Sequence, residues 1–158
     1  MNTRTIARAG VIAALYAVVT YVVAPLSWGP LQFRASELLK GVTLLLGWPA
    51  IWGFTLGNFL SNIGSPYVGP HELVLMPCIN FVGSWLAWRL RGYPALGLSI
   101  YALLIAAGVA TVLTYNISAP WLVIAASVAI SELALIVGGW FIIWRRPDIA
   151  DALEAAQP

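Results

Sequence analysis

Six apolar runs follow one another along the chain, at residues 9–24, 35–47, 49–63, 71–90, 95–113 and 120–144, separated by proline, glycine and arginine. A helix needs about 20 apolar residues to cross the roughly 30 Å hydrocarbon layer of a bilayer. The runs therefore predict membrane crossings, and the segments between them are too short to hold a soluble catalytic domain. Charge excludes the alternative. Only 9% of residues are charged, against roughly 25% in water-soluble domains, so the chain cannot cover itself for water. The expected fold is an all-α integral membrane protein. It is a compact bundle of six transmembrane helices over residues 1–146, with a short, frayed polar tail at 147–158.

A net charge of +2 is too small to point to nucleic acid, but its distribution is informative. With six crossings, the N-terminus, the turn before Pro49, the turn after Arg89 and the C-terminus share one side. Arg4, Arg8, Arg89, Arg91, Arg145 and Arg146 fall there, six of the eight basic residues. The positive-inside rule then predicts a multi-pass protein of the cell membrane with both termini in the cytoplasm. Arg34 and Lys40 lie toward the other face, around Glu37. The first run could pass for a secretory signal, because Val22-Val23-Ala24 loosely fits a cleavage site. Pro25 would follow that cut and no soluble domain comes next, so the run reads as a span. Cys78, the single cysteine, cannot form an intramolecular disulfide. Trp28, Trp48, Trp121 and Trp144 near the boundaries fit interfacial aromatic belts.

Glu132 is the most informative candidate for function. It lies mid-run, on one helical face with Ala125, Ala129, Ile136 and Gly139. A carboxylate at that depth costs about 2.5–3.5 kcal/mol on insertion scales, so it requires a cavity or a partner. It is either a ligand or ion site or a hydrogen-bonded structural group. Glu37 is spaced three residues from both Arg34 and Lys40, so the three share a face, as an ion cluster or as ligand contacts. Gln32 and Arg34 would sit at the outer mouth. Asn58 and Asn62, one turn apart, serve as interhelical glue or ligand contacts, beside a stripe of Gly53, Gly57 and Ser61. His71 and Glu72 open the fourth run and read as exposed helix-start residues. Asn80 could satisfy a carbonyl freed by Pro77, or reach the interior. Ala9, Ala13 and Ala17 form a ridge on the first helix, with Gly10 and Ala14 beside it, fit for close packing inside the protein or against a partner. The sequence holds no phosphate-binding loop, no metal-ligand cluster and a single histidine, which argues against nucleotide hydrolysis and zinc chemistry. A membrane-embedded enzyme is disfavoured because no nucleophile–base pair appears.

Ala-Ala-Leu-Tyr at 13–16, Gly-Pro-Leu-Gln-Phe-Arg-Ala-Ser-Glu at 29–37, Gly57-Asn58, Asn62-Ile-Gly-Ser-Pro66 and Ser131-Glu132-Leu133 together resemble the QueT family of queuosine-precursor transporters. The Gln-Phe-Arg-Ala-Ser-Glu element is the most specific part of that resemblance, and His71-Glu72 departs from the family pattern, which has an aspartate there. The resemblance implies the substrate-binding S-component of an energy-coupling-factor uptake system, with six helices and a ligand held under the loop after helix one. It implies a 7-deazaguanine substrate such as 7-aminomethyl-7-deazaguanine, with Glu132 and Glu37 as the carboxylates best placed to bind it. It implies docking of a transmembrane coupling protein on the alanine ridge, and ATP hydrolysis on two partner ATPase subunits, with no cofactor on this chain. The rival reading is a small proton-coupled carrier or channel with Glu132 as its titrating site, working as a homo-oligomer.

Overall fold

The computed structural model describes residues 2–28 and 33–155, so Gln32 and the start of the 29–37 element lie outside the described residues. Helices α1 (Thr3–Val22), α2 (Ala24–Ser27), α3 (Thr43–Leu46), α4 (Trp48–Asn62), α5 (Pro70–Arg89), α6 (Pro94–Ile117), α7 (Trp121–Glu132) and α8 (Pro147–Ala155) are joined by less regular helix. Ala35–Val42 is a 3-10 helix running into α3. Leu133–Val137 and Trp140–Trp144 are π-helical and continue α7. No strand occurs among the described residues.

Proline and glycine set the breaks. Pro49, Pro70 and Pro94 each stand in a first helical turn, where the missing N–H costs nothing. Gly47 separates α3 from α4 at φ 63°, a left-handed conformation that glycine adopts without a Cβ penalty. The tail differs from expectation. Pro147–Ala155 is helical rather than frayed, and at its start Arg146 donates twice to the Asp148 carboxylate, at 3.1 and 2.9 Å. That pairing holds the Asp148 carboxyl below the usual aspartate range.

The chain is a membrane protein turned apolar side out. Val22, Leu122 and Ile142 are at least three-quarters exposed, whereas Arg34, Glu37, Lys40, Glu72 and Glu132 are all at most 4% exposed. In water the preference would be the reverse. Three segments are long and apolar enough to cross a bilayer: Thr3–Val22, Pro94–Ile117 and Trp121–Trp144. The remaining apolar runs are helical but shorter or more polar. At 15 residues, α4 spans about 22 Å at 1.5 Å per residue, short of the roughly 30 Å hydrocarbon layer.

Neighbours in sequence pack as neighbours in space from α4 through α7, while α1 returns to lie along α4. That pairing corrects the expectation for the alanine ridge. Ala9, Ala13 and Ala17 are buried and face α4, not a free surface. A Cβ on Gly57 would come 3.0 Å from the Ala13 carbonyl oxygen, and one on Gly53 2.7 Å from the Ile12 side chain. Small residues on both helices bring the backbones together, so the ridge is consumed by packing inside the chain. Gly57→Val is expected to lower stability by about 1–3 kcal/mol, as overpacking does. Gly92→Val, where a Cβ meets nothing within 4 Å, should leave the thermal unfolding midpoint in detergent nearly unchanged. Equal midpoints for the two variants would contradict the α1–α4 contact.

Candidate ligand-binding site

The 3-10 helix is what assembles the site. Three residues make one 3-10 turn, so side chains at i and i+3 eclipse. Arg34, Glu37, Lys40 and Thr43 follow that spacing, and all four are buried. In an α-helix the same row would drift by about 60° at each step and leave the face it started on. Eight residues is long for a 3-10 run, since such runs seldom exceed about four residues. The segment is wedged in place by the last helix. Trp144 Nε1 donates to the Leu38 carbonyl at 2.6 Å, and Gly139 leaves room there, since a Cβ would lie 3.2 Å from the Leu38 oxygen. Trp144 thus anchors the interior segment, a role that belt placement alone did not suggest.

Glu37 and Lys40 meet as a fully buried ion pair. The Tyr16 hydroxyl donates to Glu37 Oε1 at 2.5 Å. Lys40 Nζ stands 4.7 Å from the Tyr101 ring centroid and 5.5 Å from that of Tyr16. Glu132, 1% exposed, comes in from α7 where the helix widens into its π segment, a distortion common at functional sites. Its carboxyl is within electrostatic reach of Glu37, Lys40 and Arg34. Lys40 Nζ and Glu37 Oε2 are each other's partners, whereas Glu132 Oε2 has no hydrogen-bond partner among the described residues. Such a group is costly when buried unpaired.

Toward the loop after α1, Arg34 Nη1 donates to Asn62 Oδ1 at 3.1 Å, and Asn62 Nδ2 donates to Asn58 Oδ1 at 3.2 Å. Arg34 Nη2 lies 3.9 Å from Glu72 Oε1. Glu72 is therefore a buried ion-pair partner and not the exposed helix-start residue expected. His71 does point outward, its ring 4.3 Å from that of Tyr115, and it takes no part in the buried cluster. Asn80 does not relieve Pro77. Its Nδ2 donates to the Met76 carbonyl at 3.0 Å, whereas the carbonyl that Pro77 frees belongs to Leu73. Its Oδ1 accepts from the Tyr101 hydroxyl at 2.8 Å, which fixes the ring beside Lys40. Thr20 and Ser36 share a hydrogen bond at 2.7 Å, and Ser27 Oγ donates to the Thr20 carbonyl at 3.0 Å.

Tyr16 and Tyr101 belong to the site and were not singled out from sequence as contacts, whereas Lys40 was placed on one face with Glu37. The signal for Lys40 was available in its three-residue step from Glu37. Tyr101 gave none, lying in an unbroken apolar helix. Beside Arg34 and Glu72 is a cavity of about 10 Å³, lined also by Tyr67, Met76 and Val109. That is room for about one water, so a larger ligand requires the packing around Arg34 to open.

Acids, amides and a lysine enclosed by lipid-facing helices are the arrangement of a membrane transport protein, because ionisable groups at that depth mark substrate or ion paths. The chain belongs to the QueT transporter family, whose model matches residues 6–145. No curated protein and no solved structure matches it. Membership implies transport rather than catalysis. Of the family-like elements, Arg34, Ser36, Glu37, Asn58, Asn62 and Glu132 all point into the buried network.

Proposed function

We propose that the chain is the substrate-binding membrane subunit of an energy-coupling-factor transporter, and that it takes up a 7-deazaguanine such as 7-aminomethyl-7-deazaguanine. The observation that carries this reading is the charge of the buried cluster. Glu37, Glu72 and Glu132 face Arg34 and Lys40, so full ionisation leaves one negative charge unbalanced. A cationic ligand would neutralise it. The guanine edge presents adjacent N–H donors that suit a carboxylate, and the aminomethyl cation suits a second one. Glu132 and Glu37 offer those two acceptors. Arg34, Asn62, Asn58 and Glu72 would line the approach from the loop after α1, with Gln32 at its mouth. Thermal unfolding in detergent should rise with 7-aminomethyl-7-deazaguanine, since a ligand bound only by the folded state must stabilise it. No shift at saturating ligand would count against the substrate class.

In this reading the chain crosses the membrane six times, with both termini cytoplasmic and the Trp28–Arg34 loop outside. A cysteine placed at position 29 should then be labelled by an impermeant reagent from outside. Labelling from inside only would defeat the topology. A transmembrane coupling protein with two ATPase subunits would supply the ATP hydrolysis. The face of α1 open to that partner carries Gly10 and Ala14, both exposed, rather than the buried alanine ridge. Ala14→Leu should abolish uptake while ligand affinity of the isolated subunit stays within about twofold, well under 1 kcal/mol. Ala13→Leu should instead impair folding. If Ala14→Leu reduces affinity in step with uptake, α1 is not the coupling face.

The second reading, a proton-coupled carrier, is favoured by one observation, two buried carboxyls, Glu37 and Glu132, within electrostatic reach of each other, an arrangement in which one proton is readily retained. Uptake that collapses when the proton gradient is removed at constant ATP would select it.

A further inference from the structure

Lys40 is seated in surroundings that would suit the ammonium group of a ligand. The Glu37 carboxylate pairs with it, Glu132 lies within electrostatic reach from another helix, and the rings of Tyr16 and Tyr101 face it. Carboxylates and aromatic faces together are a general solution for holding an organic cation away from water. The lysine fills this cage imperfectly. It meets Glu37 as an ion pair, yet Glu132 Oε2 remains without a hydrogen bond among the described residues. An ammonium has three N–H donors, enough to reach the Glu132 oxygen as well as Glu37 if it were free of the backbone that tethers Lys40. The tether is what limits it, since Lys40 sits on the eight-residue 3-10 helix. The tyrosines are fixed from behind, Tyr101 by Asn80 and Tyr16 by its bond to Glu37, so the cage persists whichever cation is inside it.

We propose that this cage is a subsite for a primary ammonium group, and that Lys40 occupies it as a tethered surrogate which a cationic ligand must displace. Binding is then an exchange of one ammonium for another within the cage. Lys40 sets specificity from inside the site. A neutral ligand cannot take over the charge that Lys40 supplies, and so cannot evict it. The proposal rests on the 7-deazaguanine reading only for the identity of the natural ligand; the cage is testable without it.

The experiment uses the detergent-solubilised full chain carrying Lys40→Ala, which removes the propylammonium part of the side chain. Propylammonium should raise its thermal midpoint saturably, at concentrations where the parent protein is unmoved and 1-propanol has no effect. Equal effects of propylammonium on parent and variant, or of propanol and propylammonium on the variant, would overturn the cage. Lys40→Met, which keeps the apolar volume, supplies the ligand measurement and covers a Lys40→Ala chain that does not fold. If Lys40 holds the cage nine-tenths of the time or more, its loss should tighten 7-aminomethyl-7-deazaguanine by at least about tenfold, because competition divides the apparent affinity by the fraction of open sites. The same base with methyl in place of aminomethyl should not gain. Weaker binding of the cationic base to Lys40→Met would overturn the displacement. If neither base binds the parent or the variant, the substrate reading fails, and the propylammonium result still decides the cage.

Discussion

Glu132→Gln is expected to weaken binding of a cationic 7-deazaguanine by roughly 30- to 1,000-fold while leaving the fold intact. Glutamine preserves the size and shape of a side chain that is 1% exposed, so packing against the 3-10 helix should survive. What is lost is the charge. A charge-assisted hydrogen bond that becomes neutral, with a ligand donor left poorly paired, costs about 2–4 kcal/mol, which converts to that range of dissociation constants. A purely structural glutamate would give the opposite pattern, poor expression with normal affinity in whatever folds. A proton-carrying glutamate would leave binding intact and remove the pH dependence of uptake. Calorimetry on the folded variant separates the three. A dissociation constant within twofold of the parent would take Glu132 out of the ligand site.

The second large effect is on stability and is not additive. Lys40 has both Glu37 and Glu132 within electrostatic reach, so each single Glu→Gln change leaves it a counter-charge. Glu37→Gln together with Glu132→Gln strands the ammonium in an apolar interior. Breaking a buried ion pair from one side costs about 3–5 kcal/mol. The double variant should therefore lose about that much more than the two singles combined, a coupling typical of groups in one network. Adding Lys40→Met to the double variant removes the stranded charge and should restore most of the loss. Denaturation in mixed micelles of the five proteins measures this directly. Additive losses, or a triple variant no better than the double, would mean that the three side chains do not form one electrostatic unit.

How much of this was legible in the sequence differs by residue. The helical segments were, because proline and glycine mark their ends and the apolar runs between them admit no other structure in lipid. Glu132 was legible from depth alone, and Arg34, Glu37, Asn58 and Asn62 from the rarity of polar groups in such runs. The 3-10 geometry of Ala35–Val42 was not legible. Propensity does not distinguish it from an α-helix, and it is imposed by Trp144 and Gly139, which arrive about a hundred residues later. The alanine ridge was legible as a close-packing surface, but the sequence reading assigned it to a partner and could not place it against α4. That placement depends on Gly53 and Gly57 of α4 facing it. His71 and Glu72 are adjacent in sequence and separate in space because Arg34, a loop residue, draws in only the carboxylate.

The central claim is that this chain alone holds a cationic 7-deazaguanine within its buried carboxylate cluster. Isothermal titration of the purified subunit, without any coupling protein, with 7-aminomethyl-7-deazaguanine tests it most directly. The account predicts saturable one-to-one binding that the same base bearing a methyl in place of the aminomethyl group matches only weakly. Absence of binding heat with a protein shown to be folded, or equal affinity for the cationic and neutral bases, would contradict it.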